Sequence, residues 1–288
     1  MYFMNKLPVA KRAQILSMLC EGASMRSVSR LADVSINTVS KLLVDAGRAC
    51  SDFHDEMVQG VHSKRVQVDE IWSFTYAKAK NVAAAKAAPD GAGDTWTWTG
   101  IDADSKLIVS WLVGARDAEY ATAFINDLRE RIATRIQLTS DGHRPYLDAV
   151  EDAFGADVDY AVLQKLYGAD PENEKRYSPA KCIGVECRII QGDPNPKHIS
   201  TSYVERVNLT MRMANRRFTR LTNAFSKKFD NHVHMVALYT VWYNWVRIHK
   251  TLRVTPAMAA NLTDRLWDMT EVVEMIDRAS LVPATQSE

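Results

Sequence analysis

The spacing of apolar residues divides the chain into an N-terminal helical part and a longer part in which strands come first. Near the N-terminus apolar side chains recur every three or four residues, which indicates amphipathic helices. The first helix is predicted to begin at Pro8 and to end at Gly22, since proline fits a first turn and glycine follows a last one. The second is predicted to begin after Ser24, and the third after Ser35 and to stop at Gly47.

Only Asp33 and Val34 separate the second and third predicted helices. Asp33 stands where a left-handed backbone is often required, and aspartate tolerates that conformation better than most residues. Two helices, a tight turn and a capped third helix make a helix-turn-helix. The segment 24–43 also resembles the DNA-binding helix-turn-helix of bacterial resolvases, regulators and transposases, with the matching positions Val28, Val34-Ser35 and Thr38-Val39.

That resemblance places the start of the third helix in the major groove of DNA. Because the apolar positions of this helix face inward, we expect the following side chains to face DNA: Ser35, Asn37, Thr38 and Lys41. The alternative is a three-helix module that packs against protein.

From Val66 onward the pattern changes from helical spacing to alternation. Strands are predicted at 66–72, 96–101, 107–113 and 136–140, a helix at 118–134 between the last two strands, a loop or hairpin at 77–93, a helix at 146–154 and a fifth strand at 159–162. Three strands, a helix and a fourth strand follow one another as in the ribonuclease-H-like (retroviral-integrase-like) fold. The same order favours the α/β class with a mixed sheet independently of any family.

The C-terminal third has fewer signals that mark the ends of helices and strands. Residues 166–202 are polar, contain several prolines and show few periodic signals, which predicts a long loop. Helices are predicted at 201–217 and 230–249, and a helix that packs on the domain or on a partner after Pro256. The predicted domains are a helix-turn-helix domain at 1–50, a helical or extended linker at 51–65, an α/β domain at 66–252 and an acidic helical tail at 253–288.

Charge is unevenly distributed along a chain whose net charge is only +1. The net charge is +3 for residues 1–65, −9 for 66–174, +11 for 175–253 and −4 for 254–288. An acidic block followed by a strongly basic one suits a site that holds cations next to a polyanion. We therefore expect double-stranded DNA as a partner.

Composition narrows the cellular setting. Four scattered cysteines fit a reducing compartment better than a disulfide framework. No basic and apolar leader is visible, and the longest apolar stretch is too short to span a bilayer. We expect a cytoplasmic protein of bacterial origin, associated with the nucleoid when bound to DNA, with no membrane partner.

Three acidic residues are the best candidates for chemistry. Asp69 and Asp141 lie in or directly after apolar strands, and Glu205 lies in a basic helical segment. Carboxylates presented by three elements distant in sequence are what a two-metal phosphodiester site needs, and Mg²⁺ prefers oxygen ligands. Rival acids are Glu70, which alternation points away from Asp69, and Asp102, which follows a strand; the third rival lies in the predicted loop, Asp193.

The surroundings of these acids resemble those of a known enzyme family. The segments Val68-Asp69-Glu70-Ile71-Trp72, Thr139-Ser140-Asp141-Gly142 and Tyr203-Val204-Glu205-Arg206-Val207-Asn208 resemble the three catalytic blocks of DDE-type insertion-sequence transposases, closest to the insertion-sequence-one family. The resemblance spans residues 66–249. It implies that Asp69, Asp141 and Glu205 bind catalytic Mg²⁺, for which Mn²⁺ can substitute.

Further DNA contacts are expected in the basic block. Asn208 and Arg212 follow Glu205 by three and seven residues, so they share its helix face and are candidates for the metal shell or a DNA phosphate. The other candidates are Arg216, Arg217, Lys227 and His249; for His249 a helix C-terminal cap is an equal alternative. The spacing of Cys182 and Cys187 could suggest zinc, but no second pair accompanies them, so incidental thiols are favoured.

The resemblance implies a DNA transposase that binds the ends of an insertion element, cleaves a strand with Mg²⁺ and joins it to target DNA. It also implies a homodimer or a higher assembly, since two ends must be joined. The alternatives are a DNA-binding transcription regulator and a resolvase-like nuclease with a ribonuclease-H-like domain.

Overall fold

The computed structural model of the chain describes residues 6–168, 182–219 and 224–279. The strands are β1 (Arg65–Thr75), β2 (Gly93–Asp102), β3 (Ile108–Gly114), β4 (Ile136–Ser140), β5 (Val158–Tyr167) and β6 (Cys182–Gln191). The helices are α1 (Val9–Cys20), α2 (Met25–Leu31), α3 (Ile36–Met57), α4 (Ala79–Val82), α5 (Ala118–Arg131), α6 (Pro145–Phe154), α7 (Ser202–Ala214), α8 (Phe229–Val241), α9 (Pro256–Ala259) and α10 (Met269–Ala279). A π-helix, Trp242–Val246, directly follows α8.

The strands form one mixed sheet in the order β3-β2-β1-β4-β5-β6. The first three strands pair antiparallel, β4 joins β1 in parallel, β5 joins β4 in parallel, and β6 is antiparallel to β5. The chain reaches β4 through α5, so the predicted succession of three strands, a helix and a fourth strand is confirmed. The predicted mixed α/β sheet is confirmed as well.

The N-terminal helices begin where their polar caps predict. The Ser24 hydroxyl accepts a hydrogen bond from the Ser27 backbone N–H, and the Ser35 hydroxyl accepts one from the Thr38 N–H. Each bond satisfies a backbone donor that the helix itself leaves unpaired. Asp33, in the turn between α2 and α3, has a φ of 49°, so its predicted left-handed conformation is confirmed.

The prediction that the third helix stops at Gly47 is wrong, because α3 continues unbroken to Met57. A side chain at Gly47 would meet the Cβ atom of His234 at 2.2 Å, so glycine here allows the backbones of α3 and α8 to approach closely. Glycine in a helix interior costs about 1 kcal/mol in helix propensity, which packing can offset. The first seven residues of the segment predicted as a linker, 51–57, therefore belong to α3.

Helical elements cover the outer edge of β3. The Asn244 side chain, in the π-helix, accepts a hydrogen bond from the Ile108 N–H at 3.0 Å and donates one to the Ile108 carbonyl at 2.9 Å. On α3, His54 Nε2 lies 3.2 Å from the Val109 carbonyl oxygen. Burial lowers the pKa of His54 to about 3, so this ring is neutral. These contacts occupy backbone groups that an edge strand otherwise leaves open.

Two features of the C-terminal part go beyond its prediction: the division of the long helix and the packing of α10. The long helix predicted at 230–249 is divided into α8 and the π-helix, and it ends at Val246. Within the predicted acidic tail, residues 269–279 form α10, which packs on α1. There Arg12 donates two hydrogen bonds to Asp277, at 2.6 and 2.7 Å, and the largely buried guanidinium lowers the pKa of Asp277 to about 2.

The long loop predicted at 166–202 contains ordered strand residues. β5 extends to Tyr167, and residues 182–191 form β6, whose side chains are mostly exposed on both faces. β6 alternates apolar and charged residues only over 185–189, which is too short to stand out in a long polar stretch. Residues 169–181, also in the predicted loop, lie outside the described part. None of the helices in the described ranges is long and apolar enough to cross a membrane.

Candidate metal centre

Three carboxylates converge where β1 and β4 part. Asp69 and Glu70 lie on β1, and Asp141 directly follows the last residue of β4. The parallel ladder between these strands ends at the pair Gln67 and Thr139, which puts Asp141 level with Asp69. One oxygen of each carboxylate lies within 4.8 Å of an oxygen of the other two. We call these three residues the sheet cluster.

The prediction that alternation points Glu70 away from the site is wrong. Alternation does place consecutive side chains on opposite faces of a paired strand. Because the ladder with β4 ends before Asp69, however, no paired strand separates the two faces of β1 beside Asp141. Glu70 reaches the same space, and its side chain is almost fully buried there.

Burial and mutual repulsion disfavour the charged forms of the sheet cluster. Burial, together with the charge of Asp141, raises the pKa of Asp69 to about 6. The same two causes raise the pKa of Glu70 to about 8. The Asn208 side chain opposes this effect at Asp69, since its Nδ2 donates a hydrogen bond to Oδ2 at 2.8 Å.

Arg116 is the cation nearest to the sheet cluster in the described residues. Its Nε donates a hydrogen bond to Glu70 at 2.9 Å, and its Nη2 lies 3.8 Å from Asp141. The guanidinium also lies over the Trp96 ring, 4.9 Å from its centre. Beside it, burial and the charge of Arg116 lower the pKa of His143, which favours the neutral ring.

Glu205 faces the sheet cluster across a cavity of about 690 Å³. Asp69, Asp141, Arg116 and Glu205 all line this cavity. Lys165, on β5, donates hydrogen bonds to both carboxylate oxygens of Glu205, at 2.6 and 2.5 Å, and the Thr201 hydroxyl donates another at 2.6 Å. Burial disfavours the ammonium, but the hydrogen bonds and charge of Glu205 together raise the pKa of Lys165.

A side chain of β1 positions the helix that carries Glu205. The Gln67 amide oxygen accepts hydrogen bonds from the backbone N–H groups of Tyr203 and Val204, at 2.8 and 3.1 Å. These donors belong to the first turn of α7, which has no partner for them within the helix. The bonds fix the start of α7 beside the strand that bears Asp69, and Asn208 ties the next turn to Asp69 itself.

The sheet cluster fits a hard divalent cation. All its donor atoms are carboxylate oxygens, the ligand type that Mg²⁺ prefers, and their mutual repulsion is what a bound cation relieves. The buried Oδ1 atom of Asn208 has no hydrogen-bond partner among the described residues, so a metal-bound water could donate to it. Glu205, in contrast, already faces the ammonium of Lys165.

The residues predicted for the DNA face of the third helix lie at or near the surface of α3. Asn37 and Lys41 are exposed. Ser35 and Thr38 form a hydrogen bond between their hydroxyl groups at 2.9 Å, in addition to the cap. The side chains of Leu31 and Ile36 are also exposed, at 69% and 42%. Both hydroxyl groups therefore have a structural role whether or not DNA binds.

The basic residues predicted to contact DNA are not all at the surface. Arg216 and Lys227 are exposed, and Lys227 lies over the ring of Phe225. Arg217 instead contacts Ser226 at 2.5 Å and the sulfur of Met25 at 3.3 Å, so it connects this region to α2. Arg212 and His249 are both partly buried; Arg212 lies in the last turn of α7.

His249 lies three residues beyond the π-helix, in a turn, so it is not the cap of that helix. Its ring contacts the Thr251 hydroxyl at 3.0 Å. Burial lowers the pKa of His249, and the charges of Lys106 and Arg247 add to this effect. A neutral ring is therefore favoured in the turn.

Asp102 and the two exposed cysteines have other positions. Asp102 accepts hydrogen bonds from the hydroxyl groups of Ser63 and Ser105 and caps the turn between β2 and β3, which makes it a structural residue. Cys182 and Cys187 are exposed on β6. Neither supplies a ligand to the sheet cluster.

Sequence reasoning did not identify Glu70, Arg116, His143 or Lys165 as parts of the site. For Glu70 the available signal is its position next to Asp69, but the alternation rule argues against a place in the site. Lys165 ends an apolar strand run, which is the position of the other candidates, but a lysine does not suggest a metal ligand. Nothing in the sequence around Arg116 marks it as a partner of Glu70.

No known protein-family profile matches the chain, and no curated protein matches it. Among solved structures, it is similar to a piggyBac transposase synaptic complex with hairpin DNA, with a TM-score of 0.35 and 9% identity over 96% of this chain and 73% of that one. It is also similar to a pre-cleavage Mos1 transpososome, with a TM-score of 0.31 and 10% identity over 100% and 83% of the two chains. A Mos1 transposase paired-end complex with the left transposon end matches at a TM-score of 0.25 and 12% identity, over 85% and 80%. Similarity at this level carries no argument about function.

Proposed function

We propose that this protein is a DNA transposase that cleaves and joins DNA strands with Mg²⁺, for which Mn²⁺ can substitute. The observation that carries the proposal is the convergence of Asp69, Glu70 and Asp141 within 4.8 Å of one another, on the wall of a cavity that Glu205 also lines. Carboxylates brought together against their own repulsion are expected where a cation is bound. The basic block that follows in sequence suits a DNA substrate.

The metal would be held by Asp69 and Asp141, with Glu70 as a third ligand and Glu205 on the wall of the same cavity. A divalent cation there supplies Lewis acidity, which activates the attacking oxygen and stabilises the leaving one. Asn208 orients Asp69, and Arg116 limits the repulsion between Glu70 and Asp141. These residues hold the carboxylates in place before any substrate binds.

Three cations line the cavity that a phosphodiester would enter: Lys165, Arg116 and Arg144. Lys165 and Arg116 are only partly exposed and are each held by a carboxylate, so each presents a positioned positive charge. Such charges favour the extra negative charge of a phosphoryl-transfer transition state. Phosphoryl transfer requires little covalent chemistry from protein, so positioning and charge are the expected contributions.

The proposal extends to the domains, the family and the assembly of the protein. The strand order supports a ribonuclease-H-like domain, and the capped three-helix unit supports a helix-turn-helix that binds the ends of an insertion element. The sequence motifs favour a member of the insertion-sequence-one group. Such a protein would act in the bacterial cytoplasm as a homodimer or a higher assembly. The exposed candidates for DNA contacts are Ser35, Asn37, Lys41, Arg216 and Lys227.

The test is incubation of the purified protein with DNA that carries the ends of its own element, with and without Mg²⁺. We expect strand cleavage only with the cation, and its loss in Asp69→Asn, Asp141→Asn and Glu205→Gln. Asp152→Asn, which removes an exposed carboxylate of α6, is the matched control and is expected to cleave normally. Cleavage that survives all three changes would refute the metal site.

Pre-cleaved ends distinguish transposition from simple cutting. A transposase joins such ends to target DNA, whereas a resolvase-like nuclease of the same fold does not. A DNA-binding regulator with an inert second domain would bind the ends but show no activity that depends on Mg²⁺. Binding is expected to weaken steeply between about 50 and 200 mM salt, because phosphate contacts release counterions.

A further inference from the structure

The outer edge of β6 is the part of the sheet that the described residues leave open. β6 is the last strand in the order, and within the described ranges its ladder partner is β5 alone. Its apolar side chains are exposed: Ile183 at 67%, and Val185 and Ile189 at 53% each. An exposed apolar edge strand with unpaired backbone groups is a template for another strand.

The central part of β6 is regular and alternates cleanly. Irregularities interrupt its ladder with β5 near both ends, and residues 184–189 pair without interruption between them. In this segment Val185, Cys187 and Ile189 share one face, and Glu186 and Arg188 share the other. One face is thus apolar, and the other carries one charge of each sign.

This segment is complementary to itself when paired antiparallel. If Cys187 lies opposite Cys187 of another copy, Val185 lies opposite Ile189, and Glu186 lies opposite Arg188, each pair occurring twice. We propose that β6 pairs with β6 of a second copy of this chain about a two-fold axis through Cys187. Apolar pairs and opposite charges directly across two strands stabilise such a ladder.

The charges select this register. An axis through Glu186 would place two glutamates opposite each other, and an axis through Arg188 would do the same with two arginines. Like charges directly opposite are destabilising. A register shifted by one residue would set an apolar side chain opposite a charge, with Val185 facing Arg188.

The pairing closes instead of growing into a fibre. A two-fold contact uses the same surface on both copies, so it leaves no second β6 edge to extend. At the other edge of the sheet, Asn244 and His54 occupy backbone groups of Ile108 and Val109 in β3. The expected assembly is therefore a dimer with one continuous sheet of two copies.

The register also sets the arrangement of the two candidate sites. Ser140 pairs with Val162 and Leu163 pairs with Cys187, so Asp141 and Cys187 lie at the same level across the sheet. The two copies of Asp141 would face each other across the axis, separated by five strand spacings, on the order of 24 Å. The proposal concerns an interface and stands or falls independently of the chemistry proposed for the site.

Charge reversal tests the register directly. The full-length protein is expected to sediment as a dimer, and Glu186→Arg and Arg188→Glu are each expected to weaken dimerisation at least about tenfold, because each places like charges opposite twice. Mixing the two variants is expected to restore the dimer, since every such pair then has opposite signs. Glu151→Arg, an exposed reversal on α6, is the control and should change nothing.

A thiol cross-linking experiment gives a second measurement. Cys20 and Cys50 are buried and Cys182 is five residues from the axis, so a short bismaleimide is expected to link Cys187 to its copy. Cys182→Ser should still form the cross-linked dimer, and Cys187→Ser should not. A wild-type protein that is monomeric at all concentrations, or single reversals whose mixture restores nothing, would overturn the proposal.

Discussion

The carboxylates on the two sides of the cavity stand in different electrostatic surroundings. On the side of the strands, Asp69 and Glu70 are largely buried beside Asp141, and burial raises the pKa of both. On the side of the helix, Glu205 is 38% exposed in its side chain and accepts hydrogen bonds from Lys165 and Thr201. The first side has one contacting guanidinium, that of Arg116, for three carboxylates, whereas Glu205 has the ammonium of Lys165 to itself.

This difference suggests separate roles for residues that the sequence analysis predicts as one set of three metal ligands. A cation is expected to bind first to the sheet cluster, where it relieves repulsion. Glu205 can become a ligand only if its contact with Lys165 is broken or shared. Four predictions test this order of binding.

Asp69→Asn is expected to abolish metal binding at the sheet cluster. It removes one of the three carboxylates of the sheet cluster, so affinity for Mg²⁺ or Mn²⁺ should fall by more than about 100-fold, since even an outer-shell partner contributes about 10- to 100-fold. Calorimetric titration of the protein without DNA measures it. An unchanged affinity would remove the sheet cluster from the metal site.

Asn208→Ala is expected to weaken metal binding by about 10- to 100-fold, because it removes the hydrogen bond that orients Asp69. The same titration measures the affinity. Thr210→Ala, a change of a hydroxyl on the same helix that bonds only to the Arg206 carbonyl, is the control. Equal losses in both variants would indicate damage to α7 and not loss of orientation.

Lys165→Met is expected to strengthen metal binding by about twofold to tenfold, because it frees Glu205 and removes a competing positive charge. Lys165→Arg keeps the charge and should leave the affinity near that of the wild type. A decrease in affinity in Lys165→Met would show that Lys165 supports the metal site instead of competing with it.

The effect of pH on stability should reveal the sheet cluster with no assay of activity. A raised carboxyl pKa means that the folded protein binds the proton more tightly than the unfolded protein. Without metal, the contribution of Asp69 and Glu70 to the free energy of unfolding therefore falls as pH rises from about 4 to 8.

Mg²⁺ should reverse this loss, so it should raise the melting temperature by more at about pH 8 than at about pH 5.5. Thermal unfolding followed by circular dichroism at both values measures the difference. The difference should shrink in Asp69→Asn and persist in Glu205→Gln. An equal shift at both pH values would show that the raised pKa values do not govern metal binding.

Local signals explain what the sequence predicted well. Ser24 and Ser35 start helices through bonds to backbone N–H groups three residues away, so a short window contains both partners. The strand carrying Asp69 alternates at its start because Val66 and Val68 face the core while the polar residues that alternate with them face α7. Asp141 follows a short apolar strand. Such features depend on neighbouring residues and can be read without the fold.

Contacts between distant residues explain what could not be predicted. Gly47 reads as a helix stop until His234 is seen to pack against it. Lys165 meets Glu205 only because β5 and α7 adjoin the same cavity. Glu70 enters the cluster because the ladder between β1 and β4 ends early, and ladder length is a property of two strands that lie far apart in the chain.

The unbroken α3 has a consequence for how the protein would measure distance on DNA. One rigid rod of 22 residues, about 33 Å long, joins the predicted DNA-contacting turn at Ser35 to the segment that touches β3 through His54. A flexible linker would let the turn at Ser35 change its distance from the carboxylates. Because α3 is one continuous helix that packs on α8, it would hold Ser35 at a fixed distance from the sheet, and the position of a cut would follow from where the protein binds the duplex.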